Sequence, residues 1–163
     1  MAPGQLIMLA PPSSAAKVIG IFAIVWGVLN FGGSLLGFLT PMPALLMALN
    51  VLSLGLAGVT IAGGVMVMNY QRRGVILLLL TLAFGMVAGG IEITNTGPLY
   101  DQMLEDEQIN QEEYDLVTEN AGLVTGVGLA ILVVCNSVCG LIVAIPFLIS
   151  NDGLDDSKLF GVL

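Results

Sequence analysis

The 163-residue chain is predicted to be all-α: a polytopic membrane four-helix bundle with a short extramembrane helical hairpin between spans three and four. Three observations lead there. Hydrophobic residues make up 56% of the chain and charged ones 10%, with a mean hydropathy of +0.98, which is the makeup of an integral membrane protein. Four apolar runs, 18–39, 44–68, 74–93 and 121–149, each reach the roughly 20 residues that cross a bilayer core. All four basic residues, Lys17, Arg72, Arg73 and Lys158, fall at the ends of those runs, and up-and-down threading brings them to one face. Because Lys and Arg are retained on the cytoplasmic side, both termini are expected inside and the 94–120 loop outside. The whole of 1–163 then forms a single membrane domain.

The stretch Met1 to Ala16 carries no charged side chain, and no clear small-x-small cleavage site follows it, so 18–39 is expected to be an uncleaved first span. Thr40-Pro41-Met42-Pro43 ends that span, because proline disfavours helical geometry in the residue before it and removes a donor. Pro43 can then start the second helix. Asn69-Tyr70-Gln71-Arg72-Arg73-Gly74 supplies the next turn, with its charges at the headgroups and Tyr70 at the interface. Cys135 and Cys139 lie in the fourth span at i and i+4, where they share a face but do not bridge without distortion.

The 94–120 segment contains eight carboxylates, Asp101, Glu105, Asp106, Glu107, Glu112, Glu113, Asp115 and Glu119, and no base, so it accounts for the formal net charge of −8. Thr96-Gly97-Pro98 can start a short helix with proline in its first turn, running to about Glu107. Asn110 with Glu113 three residues on has the form of a capping box, and Ile109 with Tyr114 that of a hydrophobic staple. A helical hairpin over about 96–120 is therefore expected. From Gln111 onward no proline interrupts the pattern until Pro146, so the last helix must tilt, protrude or break, with Gly122 as the weak point. An EF-hand calcium loop is not met: Asp106 to Asn110 offers spaced oxygens but lacks the glycine and the closing glutamate.

The passage 99–117, LYDQMLEDEQINQEEYDLV, resembles the short helical hairpin called SHOCT, in which an isoleucine, a capping residue, two glutamates and an aromatic follow one another. Here the hairpin is internal rather than at a cytosolic terminus, and Gln108 stands where glycine is usual. The resemblance implies a docking or oligomerisation element without catalysis. In topology the chain also resembles tetraspanins, but the large loop contains no cysteine, and Val-Cys-Asn-Ser-Val-Cys-Gly140 lies in a span instead. Over most of its length it is similar to the broad set of small four-span integral membrane proteins with an Arg-Arg-Gly turn between helices two and three, a likeness that implies no activity.

Small and polar residues within the spans are the remaining candidates. Gly85 with Gly89, and Gly122 with Gly126, form GxxxG pairs, and Gly20, Gly27, Gly33 and Gly37 punctuate the first span. Such residues let backbones approach, either within the bundle or in a homo-oligomer. Asn30, Asn50 and Asn136 are amides inside spans, Asn30 and Asn136 at similar depth. They can clasp helices together, or line a path for an ion or small solute with Ser53 or Thr60. Glu92 is the one carboxylate in a span, near the acidic end, either a boundary residue or an ion or proton site.

With no histidine, no HExxH, GxSxG or Walker loop, and no paired intramembrane aspartates, the chain is not expected to be an enzyme, and neither metal nor cofactor is expected. Net negative charge opposes nucleic-acid binding. Two functions stand: a non-enzymatic interaction, scaffold or accessory subunit presenting the acidic hairpin to a protein partner, or a small channel or transporter. The partners expected are the lipid bilayer and another protein or a second copy.

Overall fold

The computed structural model describes residues 14–148 and Leu154, and these form six helices. The helices are α1 (Ser14–Gly37), α2 (Ala44–Met68), α3 (Arg72–Thr94), α4 (Gly97–Glu105), α5 (Gln111–Glu119) and α6 (Ala121–Leu148). The expectations for Met1 to Ser13, Ile149 and Lys158 lie outside the described residues. α1, α2, α3 and α6 are long and apolar enough to cross a membrane, and α4 and α5 form the hairpin between the third and fourth. The chain is thus a multi-pass integral membrane protein. Lys17 lies over the Tyr70 ring, 5.9 Å from its centroid, and the Arg72 guanidinium 5.4 Å from the Phe147 centroid. These contacts tie the start of α1, the α2–α3 turn and the end of α6 together at one basic end.

The α1–α2 pair is built on small residues seven apart. Gly20, Gly27 and Ser34 of α1 meet Gly64, Ala57 and Asn50 of the antiparallel α2 in turn. A Cβ on Gly64 would lie 2.8 Å from the Gly20 carbonyl oxygen, and one on Gly27 would lie 3.1 Å from that of Ala57. Seven residues is two helical turns in a left-handed packing. The period therefore keeps one seam facing its partner for the length of the membrane, where close backbone approach replaces the missing hydrophobic reward.

Neighbouring Gly63 faces the other way. A Cβ on Gly74 would lie 2.9 Å from the Gly63 carbonyl oxygen and 2.8 Å from the Val67 nitrogen, so α2 touches α1 and α3 through adjacent glycines. α6 rests on α3, with Gly89 against Leu132 and Gly128 against Ile93. The other members of the two GxxxG pairs, Gly85, Gly122 and Gly126, have no atom within 4 Å of an added Cβ.

At the basic end, Ala16, Ile19, Val67, Val75 and Leu78 form one buried cluster joined by Val143, Ile145 and Phe147 of α6. Val67 and Val75 are fully inaccessible. A second cluster, Leu46, Leu49 and Ala88 with Met42 and Leu99, lies toward the acidic end, where α4 packs over α2 and α3. All long-helix residues that are buried in α6 reduce to Pro146, so this helix presents its other faces to lipid.

Two turns depart from the expected chemistry. Tyr70 and Glu107 have φ of 59° and 55°, a left-handed conformation in which glycine is usual. After each, the next amide closes a Schellman motif: Gln71 donates to Met66 (2.9 Å) and Gln108 to Met103 (2.8 Å). α3 accordingly begins at Arg72 rather than at Gly74. The expected weak point at Gly122 is replaced by Asn120, which caps α5 and accepts from the amides of Leu123 and Val124 at 2.9 and 3.0 Å. Its side-chain amide donates to Leu116 O at 2.8 Å. Asparagine supplies its own hydrogen bond at such a break, which a glycine does not.

Candidate functional site

A cavity of about 620 Å³ opens at the acidic end, walled by α1, α2, the α1–α2 turn and Glu92 of α3, and roofed by α4. It gathers Asn30, Asn50, Ser53 and Glu92, residues that the sequence marks only as separate polar positions. Asn136 and Thr60 are not on its wall.

The amides reach it in different ways. Asn50 donates from Nδ2 to the Ser34 carbonyl at 3.0 Å, a clasp between α2 and α1. Asn30 donates to Trp26 O and Asn136 to Leu132 O, both at 2.9 Å and both within one helix. The mutual Asn30–Asn136 bond that their depth allows is therefore not made. At Asn30 and Asn136 the backbone carbonyl four residues back is within reach of the side-chain amide and takes its donor, whereas at Asn50 the close approach of α1 offers the Ser34 carbonyl instead. Each of Asn30 and Asn50 spends one of its two N–H donors in this way, and both residues line the cavity.

Ser34 is 9% exposed and lines the same cavity, and neither its hydroxyl nor that of Ser53 makes a hydrogen bond among the described residues. Asp106 of the α4 cap and Glu92 complete the polar lining, which among the described residues contains no Lys or Arg. Trp26, Leu29, Met42, Leu46, Leu99 and Met103 form the apolar wall. From Arg72 to Glu92 is about 30 Å along a helix, the thickness of the hydrocarbon core. Glu92 thus stands at the interface opposite Arg72, where the carboxylate escapes the cost of burial at mid-membrane.

The hairpin above the cavity is held by its own polar groups. Asn110 Oδ1 accepts from the Glu113 amide at 2.9 Å, while Glu113 Oε2 accepts from the Asn110 amide at 3.0 Å, a complete capping box. Tyr114 donates from its hydroxyl to Asp101 Oδ1 at 2.7 Å, joining α5 to α4. That bond, and the Asp101 charge, raise the Tyr114 pKa above its ordinary value of 10.0. Gln111 Nε2 donates to Asp115 Oδ1 at 2.8 Å. All eight carboxylates are exposed. The carboxylates of Glu105, Glu107, Glu112 and Glu119 make no hydrogen bond or ion pair among the described residues.

Sequence reading missed Ser34, Trp26 and the role of Asp106 in the cavity. The signal for Ser34 was present in its place seven residues after Gly27, itself seven after Gly20. Among the described residues no group of three or more His, Cys, Asp or Glu is placed to hold a metal ion, and both cysteines are free thiols exposed on α6. Comparison with protein-family models, curated proteins and solved structures finds no match.

Proposed function

We propose that this chain is a non-enzymatic membrane interaction subunit that holds an acidic helical hairpin on the outer face of the membrane, with both termini cytoplasmic. The observation that carries this reading is that the hairpin is fixed in shape while four of its carboxylates have no partner among the described residues. A capping box, a Tyr114–Asp101 bond and a Schellman turn use polar groups to order a segment with no buried residue of its own. Order without a core supports a recognition surface, because a preset shape lowers the entropy cost of binding. Unpaired carboxylates of one sign attract a basic partner and speed its encounter. The orientation rests on Lys17, Arg72 and Arg73 at one end. Likeness of 99–117 to a SHOCT hairpin points the same way.

The test is extraction of the tagged protein in mild detergent, with Glu105, Glu107, Glu112 and Glu119 replaced by Gln in parallel. These four positions leave the capping box and the Tyr114 bond intact. Loss of a salt-sensitive complex in the variant supports the docking surface; an unchanged set of bound proteins removes it.

A second reading, a channel or carrier for a small solute, is supported by the meeting of Asn30, Asn50 and Glu92 at one cavity. Against it stands the buried cluster around Val67 and Val75, which closes the basic end. Glu92→Gln with unchanged liposome flux would remove this reading.

A further inference from the structure

We propose that the cavity beneath the hairpin is a binding site for a lipophilic organic cation, an ammonium-type charge carried on an apolar body, taken from the membrane leaflet on the hairpin side. Its polar wall offers acceptors and negative charge: the carboxylates of Glu92 and Asp106 and the amides of Asn30 and Asn50, each of which spends one N–H on a backbone carbonyl and keeps its oxygen as an acceptor. Among the described lining residues there is no basic side chain to receive an anion. Ser34, 9% exposed, lines the same space with a hydroxyl that makes no hydrogen bond among the described residues, so it is available to a bound polar group.

The rest of the wall decides what kind of cation. At about 620 Å³ the space is far larger than a metal ion needs, and it falls within the range of small-molecule pockets. Trp26, Leu29 and Met42 supply apolar surface that a sugar or a hydrated ion would waste. Trp26 and Leu29 are 63% and 64% exposed on α1, so an amphiphile can reach the cavity sideways from lipid, and an aromatic ring at the entrance favours a cationic head. The proposal deepens the solute reading only in sharing its cavity. It requires binding and no passage through the closed basic end, so a protein that binds without flux upholds this site while the transport reading falls.

Tetraphenylphosphonium, a permanent lipophilic cation, and tetraphenylborate, its anionic counterpart of equal shape, give the test. The full chain in phosphatidylcholine nanodiscs is titrated with each by equilibrium dialysis, with empty nanodiscs as the partition baseline and the emission of Trp26, the chain's one tryptophan, as the report from the site. Expected are saturable phosphonium binding that changes Trp26 emission, at least tenfold weaker binding by the Glu92→Gln/Asp106→Asn double variant, and no saturable binding of the borate. Neither carboxylate is hydrogen-bonded among the described residues, so the double variant keeps the fold, which an unchanged circular dichroism melt verifies. Phosphonium uptake that only follows the lipid baseline, equal saturable binding of the borate, or wild-type affinity in the double variant each overturns the proposal.

Discussion

Tyr70 and Glu107 occupy the same left-handed position after a helix, yet they answer differently to replacement. For a residue with a Cβ that conformation costs about 1–2 kcal/mol. Tyr70 recovers it by packing on the buried basic-end cluster and under Lys17, whereas Glu107 is exposed and has no partner among the described residues. Glu107→Gly should therefore strengthen the hairpin by about 1 kcal/mol, read as slower amide exchange over 97–119, while Tyr70→Gly should lower the melting temperature of the whole protein. The three amides separate in the same way. Asn50→Leu loses a bond between helices and should cost about 0.6–2 kcal/mol; Asn136→Leu loses only an intrahelical one and should leave thermal unfolding in detergent nearly unchanged. Tyr114 gives a pH dependence. Its pKa is raised in the fold, so the protonated hydroxyl stabilises the hairpin fully below the unfolded value of about 10, and this contribution is lost as pH rises through the higher folded value. Amide exchange across the hairpin should accelerate in that alkaline window, and Tyr114→Phe should exchange fast already at neutral pH and show no such step.

At the scale of helices, the seam of Gly20, Gly27 and Ser34 on Gly64, Ala57 and Asn50 sets the bundle's closest approach. Gly64→Leu forces a side chain into the Gly20 backbone and should cost about 1–3 kcal/mol or more. Gly126→Ala meets nothing within 4 Å, so it should be neutral or gain about 0.5–1 kcal/mol of helix propensity; thermal unfolding of the two variants in one detergent makes the comparison. A large loss at Gly126 instead would place a second copy against α6. The extents of the spans were legible because hydropathy and proline mark them: α2 begins and ends where the apolar run does, and the hairpin's second helix starts at its Asn110 cap. The two turns were less so. Nothing local identifies Tyr70 or Glu107 as left-handed, since that choice follows from how α3 and α5 leave the preceding helices. Pairing across the bundle was hidden for a related reason. GxxxG drew attention to Gly85, Gly122 and Gly126, while the α1–α2 contacts were made by small residues seven apart, whose partners on α2 become visible only when the two helices are compared in opposite directions.

As a whole the molecule is closed at one end and open at the other. The apolar cluster at the basic end and two cation–ring contacts fasten all four spans where Lys17 and Arg72 lie, and toward the hairpin a cavity forms between α1, α2 and α3. The polar candidates were legible one by one from their placement in apolar runs, but their convergence was not, because it depends on helix rotation that hydropathy does not fix. The hairpin roofs that cavity with one side and shows carboxylates on the other, which unites the two proposals in a single element. The most direct test of the docking role is the mass and composition of the particle extracted from native membranes, wild type against the Glu105, Glu107, Glu112 and Glu119 to Gln variant at low and high salt. A defined hetero-complex that dissociates in high salt and fails to form with the variant is the predicted result; the same particle from both proteins at every salt concentration would contradict it.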